Sequence, residues 1–372
     1  MLVGFIVNPI AGMGGKVGLK GTDNVLKEAV AKGAKPVAPD RAVEFLRILK
    51  RNVTDECINV VTCPDIMGGW EAKKASFAAK LLPIKITEET TAQDTKTAVD
   101  LLAASNVDLI VFVGGDGTAR DIFDAMQGCR QVPVIGVPAG VKMYSGIFAV
   151  SPSDAVEVVL SFARGLATVT DLEIVDADEE SIRNDIFALK IHGFLKSPFL
   201  PARIQGSKQV SPENDDEVEN QKAIGKFVLE QVPPDAIWIL GPGTTVKEIA
   251  EMIGAKKTIL GVDIYSDGKA ILDVDEKTIL NEVKDWRRVW LILSPIGRQG
   301  ILLGRGNQQL SPKVLRKVDK EHIVIAATKT KLQSIDGNVL RIDTGDSSTD
   351  EMLKGYVKVM TDYREWRLMQ IQ

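Results

Sequence analysis

Apolar residues in this chain gather into short continuous runs, separated by longer stretches where they recur at helical spacing. Residues 2–7, 58–62, 109–113 and 132–137 are runs of the first kind, rich in Val and Ile. Short runs closed by glycine or proline predict strands buried on both faces of a parallel sheet. Between them Ala42, Phe45, Leu46 and Leu49 share one helix face behind Asp40 as a cap, and Ala98, Leu101 and Leu102 share another within 93–105. Residues 70–80 predict a further helix, 84–87 a further strand, and Ile122, Phe123 and Met126 mark a helix starting near Ala119.

Strand and helix alternating in this way predict an α/β protein whose N-terminal domain, residues 1–165, is a doubly wound, Rossmann-like parallel sheet. In such sheets ligands bind beyond the carboxyl ends of the strands. The glycine-bearing turns after Val7, Val113 and Val137 should therefore converge. Past residue 165 the texture changes. Strands are expected at 168–176, 186–192, 236–240, 258–265, 269–273, 289–293, 323–327 and 339–343, with Ser266-Asp267-Gly268 as a hairpin turn. The second domain, 166–372, is thus expected to be mixed and strand-rich. The acidic run at 212–219 reads as a solvated helix start or loop.

Composition narrows the partners. The 372 residues are 45% hydrophobic and 26% charged, with a formal charge of −4, which favours neither nucleic acid nor an anionic membrane. Residues 1–7 are apolar but lack a basic flank, and no window reaches membrane-spanning length. Cys57, Cys63 and Cys129 have no metal-site spacing and fit a reducing compartment, so the expected location is the cytoplasm.

Candidate chemistry sits on the glycine turns. Gly114-Gly115-Asp116-Gly117-Thr118 follows the 109–113 run and opens a helix. Backbone N–H groups and the positive helix end make such a turn suited to phosphate. Asp116 can accept the proton of a hydroxyl attacking phosphorus, or it can simply complement the helix dipole. The first turn, Asn8 to Gly15-Lys16, is neither a P-loop nor a dinucleotide fingerprint, because Ile10 and Val17 stand where a P-loop needs Gly and Ser or Thr. Asn8 can bind a ligand or cap its own turn. Gly140 and Lys142 lie in the third turn. Further along, Gly243-Thr244-Thr245 follows a strand, and Gly304-Arg305-Gly306-Asn307-Gln308-Gln309 offers a guanidinium fork and amides. Asp343 and Asp346 can hold Mg²⁺ or ribose hydroxyls, or form Asx turns. His192 reads as a satisfied core histidine.

These motifs carry a resemblance. Asn8-Pro9-Ile10-Ala11-Gly12 followed by Gly-Gly-Asp-Gly-Thr resembles the superfamily of NAD kinases, diacylglycerol kinases and sphingosine kinases. Pro138-Ala139-Gly140-Val141-Lys142, Gly241-Pro-Gly-Thr-Thr245, Leu260-Gly-Val-Asp263, the 304–309 stretch and Asp343-Thr-Gly-Asp346 are similar to its ATP–NAD kinase branch that includes the acetoin-catabolism X protein. The resemblance implies phosphoryl transfer from ATP or polyphosphate, with Mg²⁺, to the 2′-hydroxyl of NAD; another small alcohol, a lipid or a non-catalytic regulatory role are the alternatives. It implies that Asp116 is the base, and that Asn8, Gly12, Gly114, Gly115, Gly117, Thr118, Gly140 and Lys142 hold nucleotide phosphates. Gly243, Thr244, Thr245, Arg305, Asn307, Gln308, Asp343 and Asp346 would then serve the acceptor. The metal ligands are undefined by the motifs. Relatives of this kind are often homo-oligomers. The chain departs from NAD kinases in lacking their Asn-Glu pair, for which Glu219-Asn220 is reversed, and in matching a Thr-Gly-Ser-Thr stretch only partly at Gly243-Thr244-Thr245.

Overall fold

The computed structural model describes residues 1–13, 34–53, 58–87, 89–128, 130–140, 143–177, 189–200, 203–204, 215–297 and 299–372. The chain divides into two compact units, the first extending to Lys208 and the second running from Gln209 to Gln372. No helix among the described residues is long and apolar enough to cross a membrane.

In the first unit, β1 (Leu2–Val7) leads to α1 (Ala38–Asn52), β2 (Asn59–Thr62), α2 (Gly69–Lys74), β3 (Ala79–Leu81), α3 (Ala92–Ala104), β4 (Leu109–Gly114), α4 (Asp116–Met126), β5 (Val134–Pro138) and α5 (Pro152–Ala163). The strands form one parallel sheet in the order β3-β2-β1-β4-β5. Side-chain alternation divides each apolar run between two layers. Val3, Phe5, Val111 and Val113 pack with α1 and α5, whereas Ile6, Ile110 and Phe112 pack with α3 and α4. That is why β1 and β4 carry no polar residue: both faces are covered. A long antiparallel hairpin, β6 (Thr168–Ala177) with β7 (Leu189–Phe199), completes the unit.

Several local expectations are corrected. The helix expected over 70–80 ends at Lys74, because Ser76 turns the chain at a positive φ of 52° and 79–81 pairs with β2 instead. Sheet pairing overrides the helix propensity of the Ala- and Lys-rich segment. Residues 84–87 are not a strand. Asp40 is not the cap of α1. The N-cap is Val37, Pro39 occupies the first turn, and Asp40 lies inside that turn.

The second unit continues with α6 (Asp215–Gln231), β8 (Ile237–Leu240), α7 (Thr244–Met252), β9 (Asp263–Ser266), β10 (Lys269–Ile271), α8 (Glu276–Glu282), β11 (Val289–Leu293), β12 (Ile301–Leu303), α9 (Pro312–Leu315), β13 (Ile323–Ala326), α10 (Lys329–Gln333), β14 (Val339–Ile342), α11 (Ser347–Leu353), β15 (Gly355–Asp362) and β16 (Glu365–Ile371). Its sheet is mixed, ordered β10-β9-β8-β11-β13-β15-β16-β14-β12. Asp267 and Gly268, both at positive φ (50° and 77°), turn β9 into β10 as expected of Asp-Gly. The β15–β16 hairpin and the short β12 were not anticipated. Ile301 of β12 exchanges two backbone bonds with Ile296, just past β11 (2.7 and 3.2 Å), so the sheet curls back on itself. One core lies inside this curl, and a second packs α6 and α7 against Trp238, Ile292 and Val324.

Candidate functional site

β1, β4 and β5 are adjacent and parallel, so their three glycine turns leave the sheet at one edge. The turns touch. The Asn8 backbone N–H donates to the Val113 carbonyl (2.9 Å), and its side-chain amide donates to Thr118 Oγ1 (2.8 Å). Asn8 Oδ1 meanwhile accepts from the Ile10 N–H (3.2 Å), capping its own turn. The Ala139 N–H donates to the Gly114 carbonyl (3.0 Å). Gly12, at φ +84°, presses so closely on the third turn that a Cβ would lie 2.1 Å from the Ala139 carbonyl oxygen. Gly114 leaves room for the buried Thr118, whose Oγ1 would be 2.5 Å from a Cβ there. Gly115 differs: a Cβ on it would meet only Gly140 Cα, at 3.7 Å. Its lack of a side chain leaves backbone open instead of relieving a packing clash.

Asp116 opens α4 behind Gly115, which supplies no side-chain cap. It is half-buried. Its Oδ2 accepts the Tyr144 backbone N–H (2.7 Å) and its Oδ1 accepts that of Ser145 (3.0 Å). Those two residues follow the third turn, and their segment is fixed from behind. The Ser145 hydroxyl donates to the Val175 carbonyl (3.2 Å) and accepts the Val175 N–H (3.0 Å), tying the segment to β6. Burial, and then the charge of Asp116, push the Tyr144 phenol well above the ordinary tyrosine range, so it stays protonated. The arrangement presents an oriented carboxylate at a helix N-terminus beside open glycine backbone. It has what proton acceptance next to an anion requires: a fixed base, and N–H donors that offset its charge. Gly117 lies in the first turn of α4. Lys142 lies outside the described residues.

Within the second unit the expected acceptor residues lie on three stretches, 243–245, 304–309 and 343–346. Gly243, at φ +118°, starts α7 without a side-chain cap, and Thr244 Oγ1 accepts from the Gln221 amide (3.3 Å). Thr245 is buried. The 304–309 loop follows β12 and abuts Asp343, since a Cβ on Gly304 would lie 2.3 Å from the Asp343 carbonyl oxygen. Asn307 spends its amide on this loop, accepting the Gly304 N–H and donating to the Leu302 carbonyl (both 2.9 Å). Asp346 caps α11 through Thr349 and pairs with Arg316 (2.5 Å). Arg305 is buried, and the Oε1 atoms of Gln308 and Gln309 are buried without a hydrogen-bond partner among the described residues. Gln299, with both amide atoms in that state, was not anticipated, nor was the Lys331–Ser294 contact (3.0 Å) near Gly243. His192 is corrected: it is exposed, and its Nε2 lies 3.1 Å from Asp124 Oδ1 on α4. Burial drives the Cys63 thiol up to about 12, leaving it a packed, unreactive side chain.

What stands, then, is an α/β protein with its glycine turns gathered at one sheet edge and a strand-rich second unit. The ATP-NAD kinase N-terminal domain model matches residues 3–166, and the ATP-NAD kinase C-terminal domain model matches residues 235–371. The chain belongs to the ATP–NAD kinase family. No curated protein matches it. Two solved structures from Bacillus anthracis str. Sterne, each titled a "putative diacylglycerol kinase", are similar to it at 15% and 13% identity, with a TM-score of 0.22 in both cases. The matches cover 48% and 73% of this chain, and 45% and 62% of theirs.

Proposed function

We propose that the chain is a kinase transferring a phosphoryl group from ATP or polyphosphate to an alcohol, with the 2′-hydroxyl of NAD as acceptor. Membership of the ATP–NAD kinase family supports the kinase reading. The observation that carries it is Asp116, half-buried beside Gly115 and held through both oxygens by the Tyr144 and Ser145 N–H groups. Its carboxylate takes the hydroxyl proton as the acceptor oxygen bonds to phosphorus and the bridging P–O bond to the leaving phosphate breaks. The open backbone at Gly115 and the first turn of α4 favour the phosphate charge throughout. Among the described residues no group of three or more His, Cys, Asp or Glu comes together to hold a metal. A Mg²⁺ ion, which keeps few protein ligands, would be carried on the phosphates of the nucleotide.

Purified protein incubated with NAD and either ATP–Mg²⁺ or polyphosphate is expected to form NADP. Asp116→Asn is expected to keep nucleotide binding while losing about 10²–10⁴-fold in turnover. NADP formed by that variant at the wild-type rate would remove Asp116 from the base role. A phosphorylated product other than NADP, from a panel of polyols and lipids, would replace the acceptor. Nucleotide binding without any product would favour a regulatory protein.

A further inference from the structure

The acidic stretch Asp215-Asp216-Glu217-Val218-Glu219 opens α6, and lysines follow it on the same helix. Ile224, Phe227 and Val228 are buried in the core of the second unit, which turns Glu219, Lys222 and Lys226 toward solvent. None of these three has an ion-pair partner among the described residues. Their neighbours on the helix are spent inside the unit. Glu217 accepts the Thr328 hydroxyl (2.5 Å), and Glu230 takes the Tyr363 hydroxyl (2.7 Å) and Arg364 (3.2 Å).

Lys222 and Lys226 stand one turn apart on the wall of a groove of about 790 Å³. Ala223, Leu229, Met252 and Tyr363 join them there, so two cations sit over an apolar floor. Gly225 lets α7 close that floor, since a Cβ on it would lie 2.4 Å from Met252 Sδ. The groove runs on into the outer face of the β15–β16 hairpin. Tyr363 and Trp366 both meet the Phe227 ring edge-on, with centroids 6.1 and 4.8 Å away. Leu368 shares the face of Trp366, two residues along β16. These three side chains are 44%, 46% and 62% exposed.

The charge pattern selects what covers this surface. An anionic membrane or a nucleic acid would meet Asp216 and Glu219 as well as the lysines. A second α6 would not. Glu219 and Lys226 are two helical turns apart, about 10 Å along the axis. Two copies of α6 laid antiparallel, about a two-fold axis between residues 222 and 223, set each Glu219 against the other copy's Lys226. One self-complementary surface thereby satisfies both pairs. The area agrees. The outward face of α6 covers about 250 Å² and the three flanking hairpin side chains add about 300 Å². Two copies together bury about 1,100 Å², just above what a specific interface needs.

We propose that α6 and the adjoining hairpin face dock a second copy of this chain, Glu219 of each copy pairing with Lys226 of the other. The surface lies wholly within the second unit and involves neither Asp116 nor the acceptor assigned above. An interface of this size with charge at its centre is weak and salt-sensitive.

Sedimentation equilibrium of the full-length protein, from about 1 to about 200 μM, tests it. The wild type is expected to dimerise with a dissociation constant on the order of 10 μM at low salt, and at least about tenfold more weakly in about 1 M NaCl. Lys226→Glu and Glu219→Lys should each be monomeric alone. Mixed, they should form a heterodimer within about threefold of wild-type affinity, because both contacts again set Glu against Lys. Both positions are exposed, and thermal melting checks that each variant is folded. A wild type that stays monomeric throughout the range would overturn the interface. So would a dimer that Lys226→Glu leaves as tight, or two folded monomeric variants that stay apart when mixed. Should a variant fail to fold, the salt series on the wild type decides, and a dimer equally tight at both salt concentrations overturns the pairing.

Discussion

Asp116→Asn separates the structural work of this carboxylate from its chemistry. The wild-type side chain accepts two backbone N–H groups, from Tyr144 at 2.7 Å and Ser145 at 3.0 Å, one on each oxygen. Hydrogen bonds to a charged acceptor contribute about 1.5–3 kcal/mol each. Asparagine keeps one oxygen, which preserves one bond as a neutral one worth about 0.5–1.5 kcal/mol. Its amide nitrogen then faces the other N–H, setting donor against donor. Adding the lost charge assistance to one abandoned donor gives a destabilisation on the order of 2–4 kcal/mol. The damage should be local. The 143–148 segment is also tied to β5 through Gly136 and to β6 through Ser145 and Gly146. A urea titration read by amide hydrogen exchange on β1, β4 and residues 143–148 measures both effects. The expected result is faster exchange at Tyr144 and Ser145 and a lower urea midpoint for the first unit, with the second unit unmoved. A shift below about 0.5 kcal/mol, with unchanged exchange at those two amides, would refute the account of how Asp116 is held.

Gly12→Ala should cost the first unit about 2–5 kcal/mol, combining the penalty of a left-handed residue with overpacking against the Ala139 carbonyl; a urea midpoint within error of wild type would contradict it. Lys331 predicts a pH dependence. Burial lowers its ammonium to about 8 from 10.5, against the raising effect of Glu217. Between those values the unfolded chain holds the proton and the folded chain has released it. Stability of the second unit should therefore rise from about pH 8 to about 10.5, by on the order of 3 kcal/mol. The rise is measured as the difference from Lys331→Met, and parallel pH profiles for the two proteins would count against it.

The first unit was largely legible because its strands are buried on both faces. Runs such as Leu109 to Val113 have no competing reading once glycines close them, and parallel order then forces the turns together. The second unit was less so. β15 and β16 carry exposed Tyr356, Lys358, Arg367 and Leu368 and reverse through Arg364 at φ 54°, without the glycine that usually announces such a turn. Lys331 stands in Thr328-Lys-Thr-Lys331, an ordinary solvated helix start by pattern. Only the neighbouring strand ends reveal what it faces. Asn307 and Asp346 show what the pattern alone leaves open: amides and carboxylates in glycine-rich loops can face a ligand or hold their own turn, and here Asn307 bonds Gly304 and Leu302 while Asp346 caps α11. His192 looked internal because its neighbours are apolar, but this end of β7 is uncovered: Lys190, Ile191 and His192 are all exposed.

The bond pair between Ile296 and Ile301 also bears on how the protein behaves at high concentration. Sheets recruit other chains through unpaired edge groups, and β12 stands last in the strand order. Ile301 has both of its outward-facing backbone groups occupied by Ile296, which blunts that end. The opposite edge is β10, three exposed residues beginning with Lys269, too short and too charged to template a strand. A sheet of this length thus offers little purchase for edge-to-edge aggregation.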